Sequence, residues 1–245
     1  MEEIVHVDEL MKAGSRMTAK HTAEMSLQEQ LAALVARGKA VTPSEILISM
    51  QRDLETLARS GLAQQSVQVG EQAPDFTLPD ALGQPVTLSA RLLQGPVVVA
   101  FYRGEWCPYC NVQLRAYQRI LPQIQELGAS LVAISPQTPD HTLSLVEKQQ
   151  LAFPVLSDLG NTVARRYRLV FSVPDTTRFI YQQKFGINLP AFNGDDSWEL
   201  PIPGTFLLDQ RGKVRLAFVD VDYTHRLEPS TLLEGLRELT GKPEA

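Results

Sequence analysis

A chain of 245 residues holds one large domain, or one ordinary domain with an extension, and its 44% hydrophobic and 21% charged side chains are those of a globular protein. With 28 acidic against 23 basic side chains the formal charge is -5, which repels a phosphate backbone and excludes nucleic acid as the expected partner. The opening Met1-Glu2-Glu3-Ile4 lacks the basic and apolar regions of a secretory signal, and no apolar run approaches the roughly 20 residues of a membrane span. A cytoplasmic location without membrane contact is therefore expected.

Residues 1–65 read as a helical extension. Leu27, Leu31, Leu34 and Val35 recur at helical spacing, and Ile46, Met50, Leu54 and Leu57 repeat the pattern. Between them Thr42-Pro43-Ser44-Glu45 is a helix-start signature, with Thr42 as N-cap and Pro43 at the first helical position, and Gly61 stops the second helix. Two short helices cannot bury such stripes alone. They are expected to dock on the main domain or on a second copy of the chain, which makes a homodimer one expectation.

Residues 66–245 change to strands and turns. Segments 75–78 and 85–88 flank Asp80-Ala81-Leu82-Gly83-Gln84 and predict a hairpin. Elements then alternate: strand 97–102, a helix from Cys107 to about Gly128, strand 130–134, helix 141–151, strand 154–156 and helix 161–168. That alternation implies parallel crossovers and an α/β sheet. Strands 205–209 and 213–220, joined by Gln210-Arg211-Gly212, predict an antiparallel hairpin before a closing helix over 227–239. Between Val170 and Leu200 lie Phe171, Phe179, Tyr181, Phe185, Phe192 and Trp198 without a clean period. This stretch is expected to be an insert packed over the sheet edge, with a substrate-access lid as the alternative.

Both cysteines fall in one run, Phe101-Tyr102-Arg103-Gly104-Glu105-Trp106-Cys107-Pro108-Tyr109-Cys110, where a predicted strand meets a predicted helix. Unpaired N–H groups and the partial positive charge of a first helical turn stabilise a thiolate there and lower its pKa below about 8.5, so the pair reads as a redox site. Pro108 favours the helix start, and Trp106 and Tyr109 are placed to shield the sulfurs from bulk water. An inert disulfide closing so short a loop would restrain the unfolded chain little. A zinc site needs four ligands, and His6, His21, His141 and His225 are scattered without ligand spacing. Glu105 is expected to face water, and Asp222, Tyr223 and Arg226 to anchor a capped turn rather than to touch the site.

The segment from Phe101 to Leu114 resembles the active-site region of the peroxiredoxins, the alkyl hydroperoxide reductase and thiol-specific antioxidant branch of the thioredoxin-fold proteins. Ala73-Pro74-Asp75-Phe76-Thr77-Leu78 resembles that family's entry hairpin, and Pro203-Gly204-Thr205-Phe206-Leu207-Leu208-Asp209 its later strand. The resemblance runs from about Val69 to Leu239 and implies a thioredoxin fold: a central mixed sheet flanked by helices. It departs from the family in its signature Pro-x-x-x-Thr-x-x-Cys. Cys110 takes the peroxidatic position, but Cys107 stands where threonine belongs and Arg103 where proline belongs.

Trp106-Cys107 to Cys110 instead resembles the thioredoxin motif, which makes Cys107 the exposed attacking sulfur, and the inner Pro108-Tyr109 is that of glutaredoxins. The family's arginine falls where this chain has Pro203 and Gly204, so Arg103 is either its stand-in or a solvated strand-end side chain. By the same resemblance Pro203 is the cis proline facing the cysteines, with Pro201 as competitor. The peroxiredoxin resemblance implies a thiol peroxidase acting on hydroperoxides: Cys110 attacks, Cys107 resolves, an external dithiol such as a thioredoxin-type protein reduces the bridge, and no bound cofactor or metal is required. The alternatives are a thioredoxin-like reductase of protein disulfides, with Cys107 attacking, and a non-catalytic redox sensor.

Overall fold

The computed structural model describes residues 25–242; His6, His21 and the rest of the first 24 residues of the expected extension lie outside the described residues. Among the described residues the first elements are α1 (Leu27–Val41), α2 (Ser44–Arg59) and the single turn α3 (Leu62–Gln65). The hairpin β1 (Thr77–Pro79) and β2 (Pro85–Thr87) comes next, then α4 (Leu88–Leu92), β3 (Val97–Phe101) and α5 (Pro108–Glu126). After these come β4 (Ser130–Ser135), α6 (Pro139–Gln149), β5 (Val155–Ser157) and α7 (Thr162–Arg166). The aromatic-rich stretch holds β6 (Val170–Ser172), α8 (Asp175–Gln183), α9 (Leu189–Asn193) and β7 (Glu199–Pro201). The chain closes with β8 (Gly204–Leu208), β9 (Val214–Val219) and α10 (Pro229–Thr240).

The central sheet has five strands in the order β5-β4-β3-β8-β9, with β3, β4 and β5 parallel and β8 and β9 antiparallel. This is the mixed α/β sheet, flanked by helices, of a thioredoxin fold. Alternation along β3 explains its unbroken apolar run. Val98 and Ala100 face one core with Leu114, Tyr117 and Leu233, while Val97, Val99 and Phe101 face a second with Tyr167 and Phe206. A strand covered on both faces leaves no place for a polar side chain, and β3 buries all of its own residues.

Element boundaries differ from expectation where caps decide them. Thr42 ends α1, its N–H bonded to the Gly38 carbonyl, and Pro43 rather than Thr42 occupies the cap of α2. The expected helix 161–168 shrinks to α7 because Asn161 is left-handed (φ 56°) and the buried Asp158 carboxylate takes the N–H groups of Val163 and Ala164 at 2.9 and 2.8 Å. Glu228 precedes α10 but serves another helix: its carboxylate accepts from the Gln28 N–H at 2.6 Å and, with the Ser26 capping box, finishes the start of α1.

The two helical stripes meet different fates. Leu27 and Leu31 of α1 are buried against Ala116 of α5. In α2 no residue is fully buried; the helix leans on α8, where Thr177 Oγ1 donates to Asp53 Oδ2 at 2.7 Å. The aromatic-rich stretch is structured: β6 and β7 pair antiparallel, Trp198 and Tyr181 are buried and Phe179 is exposed. It does more than cover the sheet, since Tyr181 reaches Arg103 and Trp106 in the loop that carries the cysteines.

Candidate active site

Strand β3 delivers the chain to Tyr102, and the loop from Arg103 to Trp106 turns it into α5. Gly104 has φ +149°, and a Cβ there would strike the Trp106 indole, so only glycine fits. Gln137 and Asn111 pin the loop: the Glu105 N–H donates to Gln137 Oε1 at 2.7 Å, and Asn111 Nδ2 donates to the Glu105 carbonyl at 2.8 Å. Cys107 is the N-cap of α5, Pro108 its first residue, and Cys110 lies one turn in, on the face that also carries Gln113, Leu114 and Tyr117.

Both cysteines are free thiols, and both are buried, Cys107 at 1% and Cys110 at 0% exposure. The expectation of an exposed Cys107 is thus corrected: α1, α2 and the 170–200 stretch stand over it. The sulfurs are not sealed in hydrocarbon, however. Two arginines come in beside them, Arg103 at 4% and Arg226 at 2% exposure. Arg226 Nη2 reaches Cys110 Sγ at 3.5 Å, while its Nε donates to Gln113 Oε1 at 2.8 Å and its Nη1 to the His225 carbonyl at 2.7 Å. Gln113 Nε2 is in turn fixed by Thr205 Oγ1 at 3.3 Å.

Arg103 lies in an aromatic cage, 4.0 Å from the Tyr223 ring, 4.7 Å from Trp106 and 5.9 Å from Tyr181, with Nη2 donating to the Tyr181 hydroxyl at 2.6 Å. It is therefore a buried cation, not a solvated strand-end side chain. Burial disfavours its charge, but Tyr181, Tyr223 and the two sulfurs outweigh that and hold its pKa above the ordinary value. Its Nε makes no hydrogen bond.

The environment splits the two thiols. Burial alone pushes Cys110 up, yet the hydrogen bond from Cys107, the charges of Arg226 and Arg103 and the Arg103 backbone together bring it down to about 5. Burial pushes Cys107 well above the ordinary thiol value, reinforced by its hydrogen bond to Cys110. The helix start supplies geometry, since Cys107 makes no side-chain capping bond; the charge comes from Arg103 in the loop just before the helix and from Arg226 in a distant segment.

A cavity of about 590 Å³ stands before the pair. Its floor is Arg103, Trp106, Cys107 and Tyr109; Leu34 of α1 with Leu47, Met50 and Leu54 of α2 forms the roof; Tyr181, Phe185 and Ile187 close one side. Cys107 lines it and Cys110 lies behind. A second cavity of about 230 Å³ shares Arg103, Tyr181, Tyr223, Met50 and Leu54 with the first. Pro203 lines only this second cavity, and the described residues contain no cis peptide bond. The expected cis proline against the sulfurs is corrected. Pro201 pairs with Val170 and the Ile202 N–H bonds the Leu169 carbonyl at 2.8 Å, so the β6–β7 ladder fixes the backbone here.

Two further expectations change. Glu105 does not face water: its carboxylate, 11% exposed, pairs with His141 Nδ1 at 2.6 Å and Lys148 Nζ at 3.5 Å. Tyr223 and Arg226 touch the site instead of merely anchoring a turn, and Asp222 lines the larger cavity. Gln113 went unnamed from sequence, and Tyr181 was named only among the aromatics of the 170–200 stretch. Gln113 carries a signal, a polar residue three after Cys110 on an otherwise apolar helix face; Tyr181 has none beyond the aromatic content of its segment.

A reactive dithiol on the first turn of the helix after the central strand of a mixed sheet defines a thiol-redox protein of the thioredoxin fold. The AhpC/TSA family model matches residues 69–217. The chain belongs to that family and is a peroxiredoxin-like protein. It is 32% identical over 149 residues to the chloroplastic peroxiredoxin Q of Sedum lineare, covering 61% of this chain and 67% of that protein. With the Arabidopsis thaliana chloroplastic peroxiredoxin Q it shares 30% over 158 residues, 64% of this chain and 62% of that one. The match thus spans about two thirds of these relatives' length. In fold it is similar to the crystal structure of Mycobacterium tuberculosis peroxidoxin BcpB, with TM-score 0.55 and 24% identity over 71% of this chain and 98% of that one.

Proposed function

We propose that the chain is a thiol peroxidase that reduces hydroperoxides through a Cys107/Cys110 dithiol–disulfide cycle. The observation that carries this reading is the Cys110 sulfur 3.5 Å from the buried Arg226 Nη2 and close to buried Arg103, charges that favour its thiolate, while burial pushes the Cys107 thiol well above the ordinary value. The thiolate attacks the terminal oxygen of R–O–OH; the S–O bond forms as the O–O bond breaks, and the electron pair leaves on RO⁻. Arg103, charged and with Nε unpartnered, stabilises that developing charge, and the Cys107 S–H supplies the proton that makes the alcohol. The Cys107 thiolate then attacks the sulfenic sulfur. Hydroxide leaves, takes a proton from solvent, and the disulfide remains. An external dithiol of the thioredoxin type returns both thiols. Similarity to proteins named peroxiredoxin Q supports the same chemistry.

One observation favours a second reading, a protein-disulfide reductase: Cys107, not Cys110, lines the cavity. Its raised pKa makes it a poor first nucleophile. Single-turnover oxidation separates the two. Cys110→Ser is expected to consume no peroxide, while Cys107→Ser forms one equivalent of sulfenate and stops. The opposite pattern, with disulfide reduction retained by Cys110→Ser, transfers the assignment to Cys107.

A further inference from the structure

We infer that the smaller cavity, about 230 Å³ beside Arg103, binds a small monocarboxylate with an apolar body, and that forming the Cys107–Cys110 disulfide tightens that binding. The first line of evidence is a count of charges. Arg103 and Arg226 are both buried, and no carboxylate of a described residue forms an ion pair with either guanidinium. The anion they share is the Cys110 thiolate, so one negative charge faces two buried positive ones. A buried charge without a counter-charge is costly. Arg103 offsets part of that cost on the Tyr223 and Trp106 rings and the Tyr181 hydroxyl, all of them neutral.

The cavity itself is the second line. Among the described residues Arg103 is the only cation on its wall, and Leu54, Leu57, Phe171, Val173, Ile202 and Val221 make most of the rest apolar. Asp53, the one carboxylate there, already accepts from Thr177 Oγ1 at 2.7 Å, which leaves the guanidinium as the anchor for an incoming anion. An apolar cavity of about 150 Å³ is filled by benzene, so about 230 Å³ admits a phenyl ring with a short acidic arm. Neither cysteine lines this cavity, so a ligand held in it meets the sulfurs through Arg103 alone. In the disulfide the two sulfurs share a bond, their two electrons and two protons having passed to the oxidant, and neither carries charge. Both arginines then lack an anion, and a carboxylate beside Arg103 has no thiolate to compete with. By linkage, the same carboxylate favours the disulfide over the dithiol.

The test is equilibrium dialysis of labelled phenylacetate against the full chain, reduced or oxidised with diamide, an azo compound that takes up the two electrons and two protons. The oxidised chain is expected to bind phenylacetate at one saturable site, about tenfold more tightly than the reduced chain does. It should also prefer phenylacetate about tenfold over 2-phenylethanol, which has the ring without the charge. Leu57→Trp fills the smaller cavity and touches only that one, so it is expected to abolish the site. Leu57→Phe repeats the experiment should the first variant fold poorly, judged by thermal melting. No saturable binding to either form overturns the inference, as does equal affinity for the two forms. Binding that neither variant weakens puts the ligand in the larger cavity and overturns it too. Because diamide rather than a hydroperoxide makes the disulfide, the outcome is independent of the peroxidase reading, which peroxide consumption tests separately.

Discussion

Strand β3 buries all five of its residues, and the loop after it sets two sulfurs among side chains fixed by hydrogen bonds; α2, sixteen residues with a clear apolar stripe, buries none. The same small region of space is thus bounded below by close-packed structure and above by a helix held at half contact. A floor of this kind resists local opening, whereas an element with few buried contacts opens at a fraction of the global free energy. The difference separates two tasks. Thiolate electrostatics tolerate little displacement, because 1 Å at a buried charge alters its stabilisation greatly. Admission and release of a ligand demand movement, and the roof is the part free to provide it.

The comparison breaks most decisively at the floor. Arg226→Gln keeps the bond to Gln113 within reach but removes the charge beside Cys110. Peroxide consumption is expected to fall about 100- to 1,000-fold, the loss typical of one preorganised electrostatic donor. The pH midpoint of Cys110 alkylation is expected to climb from about 5 toward the ordinary thiol range. A midpoint that stays put would show that Arg226 does not hold the thiolate. Next in size, Leu31→Ala in the buried seam between α1 and α5 is expected to cost about 2–5 kcal/mol of unfolding free energy. Leu54→Ala in the roof should cost about 1 kcal/mol, since its side chain is only half-covered. Equal losses in chemical denaturation would erase the distinction between the buried seam of α1 and the half-covered stripe of α2.

The split thiols also leave a mark on stability. Cys110 has a folded pKa of about 5, against an unfolded value near 8.5, so between those limits the unfolded chain binds the extra proton. Stability of the reduced protein should therefore rise with pH across that window, and the contribution is lost as pH falls through about 5. Cys107, shifted upward, withdraws stability as pH rises above the unfolded thiol value. Denaturation midpoints of wild type and Cys110→Ser at pH 5, 6, 7 and 8 give the check, roughly spanning the window between the two pKa values. A variant whose pH slope matches wild type contradicts the buried thiolate.

Distance along the chain decides how much of this was legible in the sequence. Period-2 and period-3.6 patterns are local, so the alternation of strands and helices, the final hairpin and the Cys-x-x-Cys at a helix start could be read directly. The charge that works on Cys110 could be read only in part, Arg103 from its place in the cysteine run but Arg226 not at all. Arg226 lies 116 residues away, and Tyr181 is 78 from the arginine it orients. No local rule forecasts such meetings; the fold makes them. Pro203 shows the opposite error: a family expectation about one proline does not hold, and that proline lies just after the β6–β7 ladder in a trans peptide. Gln113 stood between the cases, since its place on the buried face of α5 was computable from its spacing to Cys110.

Glu105 supplies the smallest effect and the finest division of the floor. Its carboxylate bridges the loop to His141 and Lys148 of α6, yet its backbone N–H and carbonyl are already held by Gln137 and Asn111. Glu105→Gln removes the ion pair and leaves the backbone contacts. Because His141 is 33% and Lys148 67% exposed, water replaces much of the lost interaction, and the expected cost is below about 1 kcal/mol. Peroxide kcat/KM should change by less than about twofold, since the charges acting on Cys110 come from Arg226 and Arg103. A loss beyond tenfold with unchanged denaturation would instead make the Glu105–His141 pair a proton relay to the site, and the chemistry of the floor would then rest on three charged elements rather than two.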